Sequence, residues 1–167
     1  MKSAKYWIEK LGLDRHPEGG WFKEIYRSDN IITVDSLSGD YRGTRNCFTS
    51  IYYLLEGDDY SSFHRIKSDE VWHYYKGSTS IEILLIVDGC LIKQLCGNNP
   101  DENQHFQIVV PKNTWFAARL HDKSGYALVG CTVSLGFQFD DFEMADEKLM
   151  EEFPQLETEI KNLLRIE

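Results

Sequence analysis

Residues 62–77 read SFHRIKSDEVWHYYKG, which is two strand-like runs joined by a polar bend. Strict alternation along the second run puts three side chains on one face: Glu70, Trp72 and Tyr74. A bend through residues 67–69 can bring the imidazole of His64 beside the carboxylate of Glu70. A buried carboxylate is costly unless it is paired or hydrogen-bonded, and a histidine is the nearest candidate partner. We therefore predict that His64 and Glu70 converge in one cavity.

Short β-branched or aromatic runs, each bounded by Gly, Asn, Asp or Pro, fill the middle of the chain. The predicted strands are residues 22–27, 44–55, 61–66, 70–76, 80–87, 91–96, 104–110, 115–120 and 127–133. Asp88 and Gly89 between two apolar runs predict a two-residue hairpin turn, because both positions tolerate a positive φ. This density of strands predicts an all-β sandwich or barrel. A mixed sheet with crossover helices is the weaker alternative, because the gaps are too short for helices.

Both ends of the chain are predicted to be helical. Residues 3–11 form a short amphipathic pattern, with Ser3 as the N-cap and Gly12 as the stop signal. Residues 141–153 and 155–164 are acidic and helix-periodic, and Pro154 suits the first turn of the second helix. We expect these two helices to cap the open end of the barrel, with a partner-binding role as the alternative.

Length and charge narrow the function classes. The chain has 167 residues, enough for one domain, and its net charge is −9 at pH 7. That charge argues against nucleic acid as a partner and against docking on anionic membranes. Since there is neither an apolar window of roughly 18 residues nor a signal-peptide core, we expect a cytoplasmic protein. Four cysteines without a C-x-x-C pair predict buried free thiols rather than disulfides or a structural zinc site.

The stretch around His64 resembles the first cupin motif, G-x5-H-x-H-x3-E-x6-G. The matching positions are His64, Glu70 and Gly77. Residues 111–116 partly resemble the second cupin motif, with Asn113 at a glycine position whose left-handed backbone Asn tolerates. The second histidine of the first motif is replaced by Ile66, and the histidine of the second motif by Phe116.

Further runs extend the resemblance over roughly residues 11–153. They are residues 16–22 with 26–28, 49–55, 68–73 and 131–137. In this order they resemble a group of small uncharacterised single-domain cupins. The resemblance implies a double-stranded β-helix jelly roll, with one domain over residues 1–167 and a barrel over about residues 20–138. It also implies a homodimer, which would cover exposed sheet surface, and a similarity to metal-free nucleotide-sugar epimerases.

Many cupins hold a divalent metal with three histidines and one glutamate. Here His64 and Glu70 are the residues that could still hold one, because Ile66 and Phe116 offer no lone pairs. A catalytic transition-metal site usually needs about three protein ligands, and His73 would reach the Glu70 face only through a bulge. We therefore expect no metal and no other cofactor.

The first functional hypothesis is a pocket for a small organic ligand, such as a sugar, a nucleotide or another ring compound. Aromatic walls with a few placed polar groups are typical of small-molecule sites. The predicted walls are Tyr52, Trp72, Tyr74 and Phe116, with His64 and Glu70 as the polar pair. Glu24, on the predicted strand 22–27, and His73 are further candidates for this site.

Two alternatives stay open. In a sugar isomerase or epimerase, His64 would be the general base, oriented by Glu70 or Asp69. Tyr74 or Tyr52 would deliver a proton to the other face, and Arg27 or Arg45 would hold a phosphate or carboxylate. In the second alternative the protein is a non-catalytic interaction or structural module. His16, in a turn before Pro17, is interpreted as a loop histidine.

Overall fold

A computed structural model describes residues 2–37 and 41–165 and is dominated by strands. The strands in chain order are β1 (Asp14–Arg15), β2 (Trp21–Arg27), β3 (Ile31–Ile32), β4 (Arg45–Asn46), β5 (Thr49–Glu56), β6 (Tyr60–Ile66), β7 (Asp69–Gly77), β8 (Ile81–Val87), β9 (Cys90–Cys96), β10 (Gln104–His105), β11 (Gln107–Val110), β12 (Trp115–Leu120), β13 (Tyr126–Ser134) and β14 (Phe142–Met144). The helices are α1 (Ala4–Leu11), α2 (Lys148–Glu152) and α3 (Glu157–Lys161). The predicted all-β jelly roll is therefore confirmed.

Two six-stranded sheets form the two walls of the barrel. The first has the order β1-β2-β5-β13-β7-β11, and the second has the order β10-β9-β8-β12-β6-β14. Strands β3 and β4 form a separate ladder. Apart from β1 and β2, neighbours in the first sheet are not consecutive in the chain, because the later strands alternate between the two sheets. Side chains far apart in sequence consequently face one another across the interior.

The main core lies between the sheets. Inward side chains of both sheets form one buried cluster, which includes Tyr53, Trp72, Ile83 and Phe116. Burying large apolar side chains stabilises the fold by about 1.5–3 kcal/mol each. This packing fills most of the barrel interior and leaves one end for the cavity described below.

The N-terminal helix covers the outer face of the first sheet. The Ser3 side chain accepts the Tyr6 backbone N–H, and Gly12 ends the helix with a φ of +63°, as the sequence predicted. Helix α1 and Leu13 pack over Leu54 of β5. Since β5 is covered on both faces, both sets of its alternating side chains are apolar.

The two predicted C-terminal helices are present, but they are shorter than the predicted ranges 141–153 and 155–164. Phe142–Met144 is a strand that pairs with β6, and only α2 and α3 are α-helical within residues 141–165. A 3-10 turn that begins at Pro154 separates them. Their apolar side chains, including Ile160, pack on the outer face of the second sheet against Phe63, so they do not cap the end of the barrel.

Local sequence signals in the middle of the chain hold well. Asp88 and Gly89 form the predicted turn, with φ values of +50° and +74°, and Asn113 has a φ of +59°. The predicted strands 44–55 and 104–110 are each divided in two. The thiols are free, but only Cys96 and Cys131 are buried. None of the helices within residues 2–37 and 41–165 is long and apolar enough to cross a membrane.

Candidate ligand-binding site

A cavity of about 340 Å³ lies at one end of the barrel, between the first sheet and β6. Strands β2, β5, β13 and β7 supply one wall, β6 supplies the other, and the turn before β2 and the segment after β13 complete it. The titratable lining residues are His16, Glu18, Glu24, Arg27, Tyr53, His64, Glu70 and Cys131. The remaining lining residues are Phe22, Thr49, Ile51, Ile66, Val133, Phe137, Gln138 and Phe139. His64 and Glu70 thus line one cavity, as their spacing predicted.

Strand register explains why these side chains meet. Across the first sheet, Arg27 pairs with Thr49, Thr49 with Val133, and Val133 with Glu70. Directly opposed residues point to the same face of a sheet. One continuous row of four side chains therefore faces the cavity, with a charged or ionisable group at each end.

His64 is fixed by contacts on both ring nitrogens. Its Nδ1 lies 2.7 Å from the Ser62 carbonyl oxygen, and its Nε2 lies 3.2 Å from Oε2 of Glu18. A carbonyl can only accept, so Nδ1 donates and carries a proton. The Nε2 atom faces the Glu18 carboxylate at ion-pair distance, in a pair whose side chains are 3% and 9% exposed.

Glu18 and His16 come from the turn before β2. The backbone N–H of Glu18 donates to Nδ1 of His16 at 3.3 Å, and the Ser61 hydroxyl donates to Oε1 of Glu18 at 3.0 Å. Burial lowers the pKa of His16, so its ring is neutral at pH 7 and carries its proton on Nε2. Sequence reasoning interpreted His16 as a loop histidine and missed Glu18. The available signal was an acidic residue directly before two glycines within a family-like motif.

The two glycines allow this turn to dock tightly. Gly19 has a φ of +114°, and a Cβ there would lie 1.9 Å from the Tyr60 carbonyl oxygen. Gly20 has a φ of +72° and lies beneath the Tyr53 hydroxyl, which donates to the Gly19 carbonyl at 2.7 Å. These approaches hold the Glu18 side chain inside the barrel.

Arg165, after the last helix, holds the turn that carries Glu18 in place. Arg165 donates from Nε to the Glu18 carbonyl at 3.0 Å and from Nη2 to Oδ1 of Asp59 at 2.6 Å. Asp59 in turn accepts the Gly20 backbone N–H at 3.0 Å. Arg165 is therefore a positioning residue for Glu18, although it does not line the cavity.

Glu70 is a buried carboxyl to which none of the described residues provides a counter-ion. Its residue is 7% exposed, and burial, with the nearby charge of Glu18, raises its pKa to about 8. The Cys131 thiol and the Trp72 indole N–H lower that pKa. However, Trp72 Nε1 makes no hydrogen bond of normal geometry. At neutral pH, Glu70 therefore carries its proton and can act as a donor or an acid.

Arg27 and Glu24, which both line the cavity, form an ion pair with each other. The guanidinium donates from Nε to Oε1 at 3.0 Å and from Nη2 to Oε2 at 2.7 Å. Its Nη1 donates to Oδ1 of Asn46 at 3.0 Å and to the Phe137 carbonyl at 3.1 Å. The two predicted site residues thus neutralise each other.

Tyr52 and His73 lie outside the cavity, so the prediction that they line it is wrong. On β5 the inward residues are Ile51 and Tyr53, and Tyr52 packs with the outer-face residues beneath α1. His73 faces away from its neighbour Trp72, which is part of the interior core. On β5 the inward face is thus the opposite of the expected one, whereas on β7 the expected alternation holds and His73 lies on the other face from Glu70 and Trp72.

Trp72, Tyr74 and Phe116 lie inside the barrel but do not line the cavity. Trp72 is 1% exposed and Phe116 is 0% exposed, and Phe116 lies 4.1 Å, centroid to centroid, from the His64 ring. The Tyr74 hydroxyl donates to the Thr79 carbonyl at 2.9 Å, toward the far end of β7. The interior along β7 is filled by the core, so these residues support the site rather than form its wall.

Arg45 also lies elsewhere. It is 1% exposed and donates from Nε and Nη2 to the two carboxylate oxygens of Asp141, at 2.6 and 2.7 Å. Its Nη1 donates to the backbone carbonyls of residues 42–44, and the guanidinium lies over the Tyr41 ring. The prediction that Arg45 could hold a ligand's phosphate is wrong, because its charge is already neutralised by a buried partner.

The residues present do not fit the metal set of many cupins. Ile66 and Phe116 offer no donor atoms, both nitrogens of His64 are engaged, and Nδ1 of His16 already accepts a backbone N–H. Within residues 2–37 and 41–165, no group of three or more His, Cys, Asp or Glu side chains could hold a metal ion. The chemistry available is that of carboxyl, imidazole and aromatic groups.

Known proteins similar to this chain share its whole fold. A hypothetical protein from Leishmania major is 30% identical with a TM-score of 0.88, covering 99% of this chain and 100% of that one. The protein SO0799 from Shewanella oneidensis is 34% identical with a TM-score of 0.87, covering 100% of both. The uncharacterized protein YML079W from Saccharomyces cerevisiae is 29% identical over 148 residues, which is 83% of this chain and 73% of that protein. Since the model of the cupin superfamily (DUF985) matches residues 5–145, which contain both sheets and the cavity, this chain belongs to that family.

Proposed function

We propose that this cupin binds a small organic ligand in the cavity between its sheets, without the help of a metal. The observation that carries the proposal is the cavity itself. Its volume of about 340 Å³ lies within the range of about 300–1,000 Å³ of small-molecule sites. Its lining combines apolar and aromatic side chains with polar groups that can orient a ligand.

The internal order of the cavity supports the same function. Glu18 and His64 are held in place by neighbouring hydrogen bonds, and Tyr53 is fixed to the Gly19 carbonyl. A site whose polar groups are fixed before binding loses less conformational entropy when the ligand arrives. Glu70, by contrast, forms no ion pair with any residue of the ranges 2–37 and 41–165, so its carboxyl is available to a ligand.

The experiment is a thermal-shift screen of small metabolites, run in EDTA, against three proteins. Val133→Phe places a larger side chain in the cavity, where Val133 is 6% exposed. Val109→Phe is the matched control, because Val109 is 54% exposed on β11. We expect compounds that stabilise the wild type and Val109→Phe but not Val133→Phe.

Two results would contradict the proposal. One is a compound that stabilises all three proteins equally, which would place its site elsewhere. The other is stabilisation that EDTA abolishes and one metal restores. A screen without any stabilising compound would support the alternative of a non-catalytic module, provided that Val133→Phe raises the Tm by filling the empty volume.

A second candidate function is proton transfer on the bound ligand, as in an isomerase or epimerase. The observation that favours it is one cavity that contains the Glu18 carboxyl 3.2 Å from the His64 imidazole, and the Glu70 carboxyl, whose pKa burial raises to about 8. Groups with different proton affinities in one site are what acid–base catalysis requires. The assignments differ from those predicted, because both nitrogens of His64 are engaged. Glu18 becomes the base, His64 its positioning residue and Glu70 the acid.

Exchange of ligand hydrogen with solvent deuterium tests this candidate. Mass spectrometry of compounds that pass the thermal-shift screen would detect deuterium on carbon if a proton is abstracted. We expect exchange with the wild type and at least about a hundredfold less with Glu18→Gln. Tight binding with no exchange on any of these compounds would leave binding alone as the function.

A further inference from the structure

The cavity has no free positive charge for an anionic ligand. Arg27 has four of its five N–H groups engaged, two of them by Glu24. Burial lowers the pKa of His16, which favours its neutral form, and the His64 ring already faces the Glu18 carboxylate at 3.2 Å. Any phosphate or carboxylate brought into the cavity would meet carboxyl groups without an unpaired cation to offset them. This counts against anionic ligands, whose charge is costly to desolvate without a partner.

Whereas the cationic Arg27 of the cavity is already paired, the carboxyl of Glu70 has no cation beside it among the described residues. It is 93% removed from solvent and lines the cavity, and none of the described residues forms an ion pair with its carboxyl, which has only the Cys131 thiol and the Trp72 indole N–H beside it. In the empty cavity it avoids the cost of a buried charge by keeping its proton. A positively charged ligand would supply the missing partner.

Aromatic rings complete the recognition of a cation. Phe22, Phe137 and Phe139 line the same cavity as Glu70, and the rings of Phe137 and Phe139 pack at 5.1 Å, edge to face. Ring faces attract organic cations, by about 2 kcal/mol or more where water is excluded. Phe139 is 58% exposed, so at least one ring is accessible to an entering ligand.

From these observations we propose that the ligand is a singly charged organic cation of the ammonium type, with its charge next to Glu70 and its apolar part against the phenylalanine rings. The inference rests on the proposed function and adds the class of ligand. On binding, the carboxylic acid of Glu70 releases its proton to solvent, and the resulting carboxylate pairs with the cation. No bond of the ligand is made or broken.

The test compares probes of one shape and different charge. Choline is a quaternary ammonium ion whose charge does not change with pH, 3,3-dimethylbutan-1-ol is its uncharged isostere, and 3,3-dimethylbutanoate is an anion of similar shape. Benzyltrimethylammonium extends the series to an aromatic cation. The affinities are measured by titration calorimetry on the intact wild-type protein. The pH is about 9, because Glu70 is ionised there. We expect the better ammonium probe to bind at least about tenfold more tightly than the alcohol or the anion.

Two variants locate the charge that is recognised. Glu70→Gln keeps the side-chain shape but cannot ionise, so it should weaken binding of the ammonium probe about tenfold and leave the alcohol unchanged. Glu143→Gln is the matched control, because Glu143 is an exposed residue outside the cavity whose side chain is 56% exposed. It should change neither affinity.

The outcomes separate this inference from the proposed function. If the alcohol or the anion binds as tightly as the ammonium probes and Val133→Phe blocks that binding, the cationic class is wrong while the ligand site stands. If no ammonium probe binds at millimolar concentration, the inference is also wrong, and the compound screen with Val133→Phe decides the proposed function independently. Equal loss of ammonium binding in Glu70→Gln and Glu143→Gln would overturn the role of Glu70.

Discussion

Oε2 of Glu18 lies 3.2 Å from Nε2 of His64, and this contact joins the turn before β2 to the opposite wall of the barrel. Because Nδ1 of His64 donates to the Ser62 carbonyl, the ring is held between its own strand β6 and the Glu18 carboxylate. The histidine at the first position of the cupin motif thus contacts a carboxylate here. That carboxylate comes from the turn before β2 and not from the strands that carry the motif.

Removing either partner of this buried pair should destabilise the fold. We expect Glu18→Gln and His64→Gln each to lower the free energy of unfolding by about 3 kcal/mol, because each leaves a buried polar group without its partner. The double variant should lose clearly less than the sum of the two. Urea unfolding of the four proteins measures this coupling, and strictly additive losses would show that the two side chains do not interact.

Two ion pairs in one short segment, one buried and one exposed, should contribute differently to stability. Asp141→Asn leaves the guanidinium of Arg45 buried beside a neutral amide, and we expect a loss of about 3 kcal/mol in the free energy of unfolding. Glu143→Gln breaks an exposed pair with Arg65 and should cost less than about 1 kcal/mol. Urea unfolding of both variants provides the comparison. Equal losses would mean that the Arg45 pair is not held as the structure has it.

Glu70 predicts a pH dependence of stability. Burial raises its pKa in the folded protein from an ordinary 4.5 to about 8. Between those values the folded protein holds a proton that the unfolded chain has released. The free energy of unfolding should therefore fall as pH rises through this window, by about 1.4 kcal/mol per pH unit, and level off above about pH 8.

Glu70→Gln removes this contribution and isolates it from other titrations. Relative to the wild type, the variant should become progressively more stable from about pH 5 to about pH 8. Urea unfolding of both proteins across that range gives the difference directly. A difference that does not change with pH would show that Glu70 is already ionised in the folded protein.

Two matched substitutions that shorten an isoleucine side chain test whether the C-terminal helices pack on the second sheet. Ile160 of α3 is 0% exposed against the outer face of the second sheet, whereas Ile25 of β2 is 45% exposed. We expect Ile160→Ala to lower the free energy of unfolding by about 2–5 kcal/mol and Ile25→Ala to have a small effect. If both substitutions were nearly neutral in urea unfolding, the C-terminal segment would not be docked on the sheet.

The sequence correctly predicted the features that depend on neighbouring residues, such as helix caps and turns. Ser3 as a cap, Asp88 with Gly89 as a turn and Asn113 at a positive φ depend on a few neighbouring residues. Residues 115–120 form a strand with the predicted bounds. The convergence of His64 and Glu70 was also predictable, because one bend joins their strands.

Side-chain direction on β5 could not be read from the sequence. An amphipathic strand reveals its inner face by alternation, but Tyr52 and Leu54 are covered by α1 while Tyr53 and Leu55 are covered by the core. Both faces are therefore apolar and the pattern gives no choice between them.

Glu18 was missed for a different reason. Its partners, Ser61 and His64, are far away in the sequence, and only the folded barrel brings them to the turn. The helical periodicity of residues 141–153 was likewise overridden, because Phe142–Met144 completes the edge of the second sheet beside β6. The homodimer and the cytoplasmic location stay predictions.

The account depends on a cavity that recognises an organic molecule with its own carboxyl, imidazole and aromatic groups. A crystal structure of the protein purified in EDTA, grown with the tightest-binding compound, tests this most directly. We predict density for the compound between Glu70 and the rings of Phe22 and Phe137. Density for an ion at about 2.0–2.3 Å from three or more protein atoms, or for the compound outside the barrel, would contradict the account.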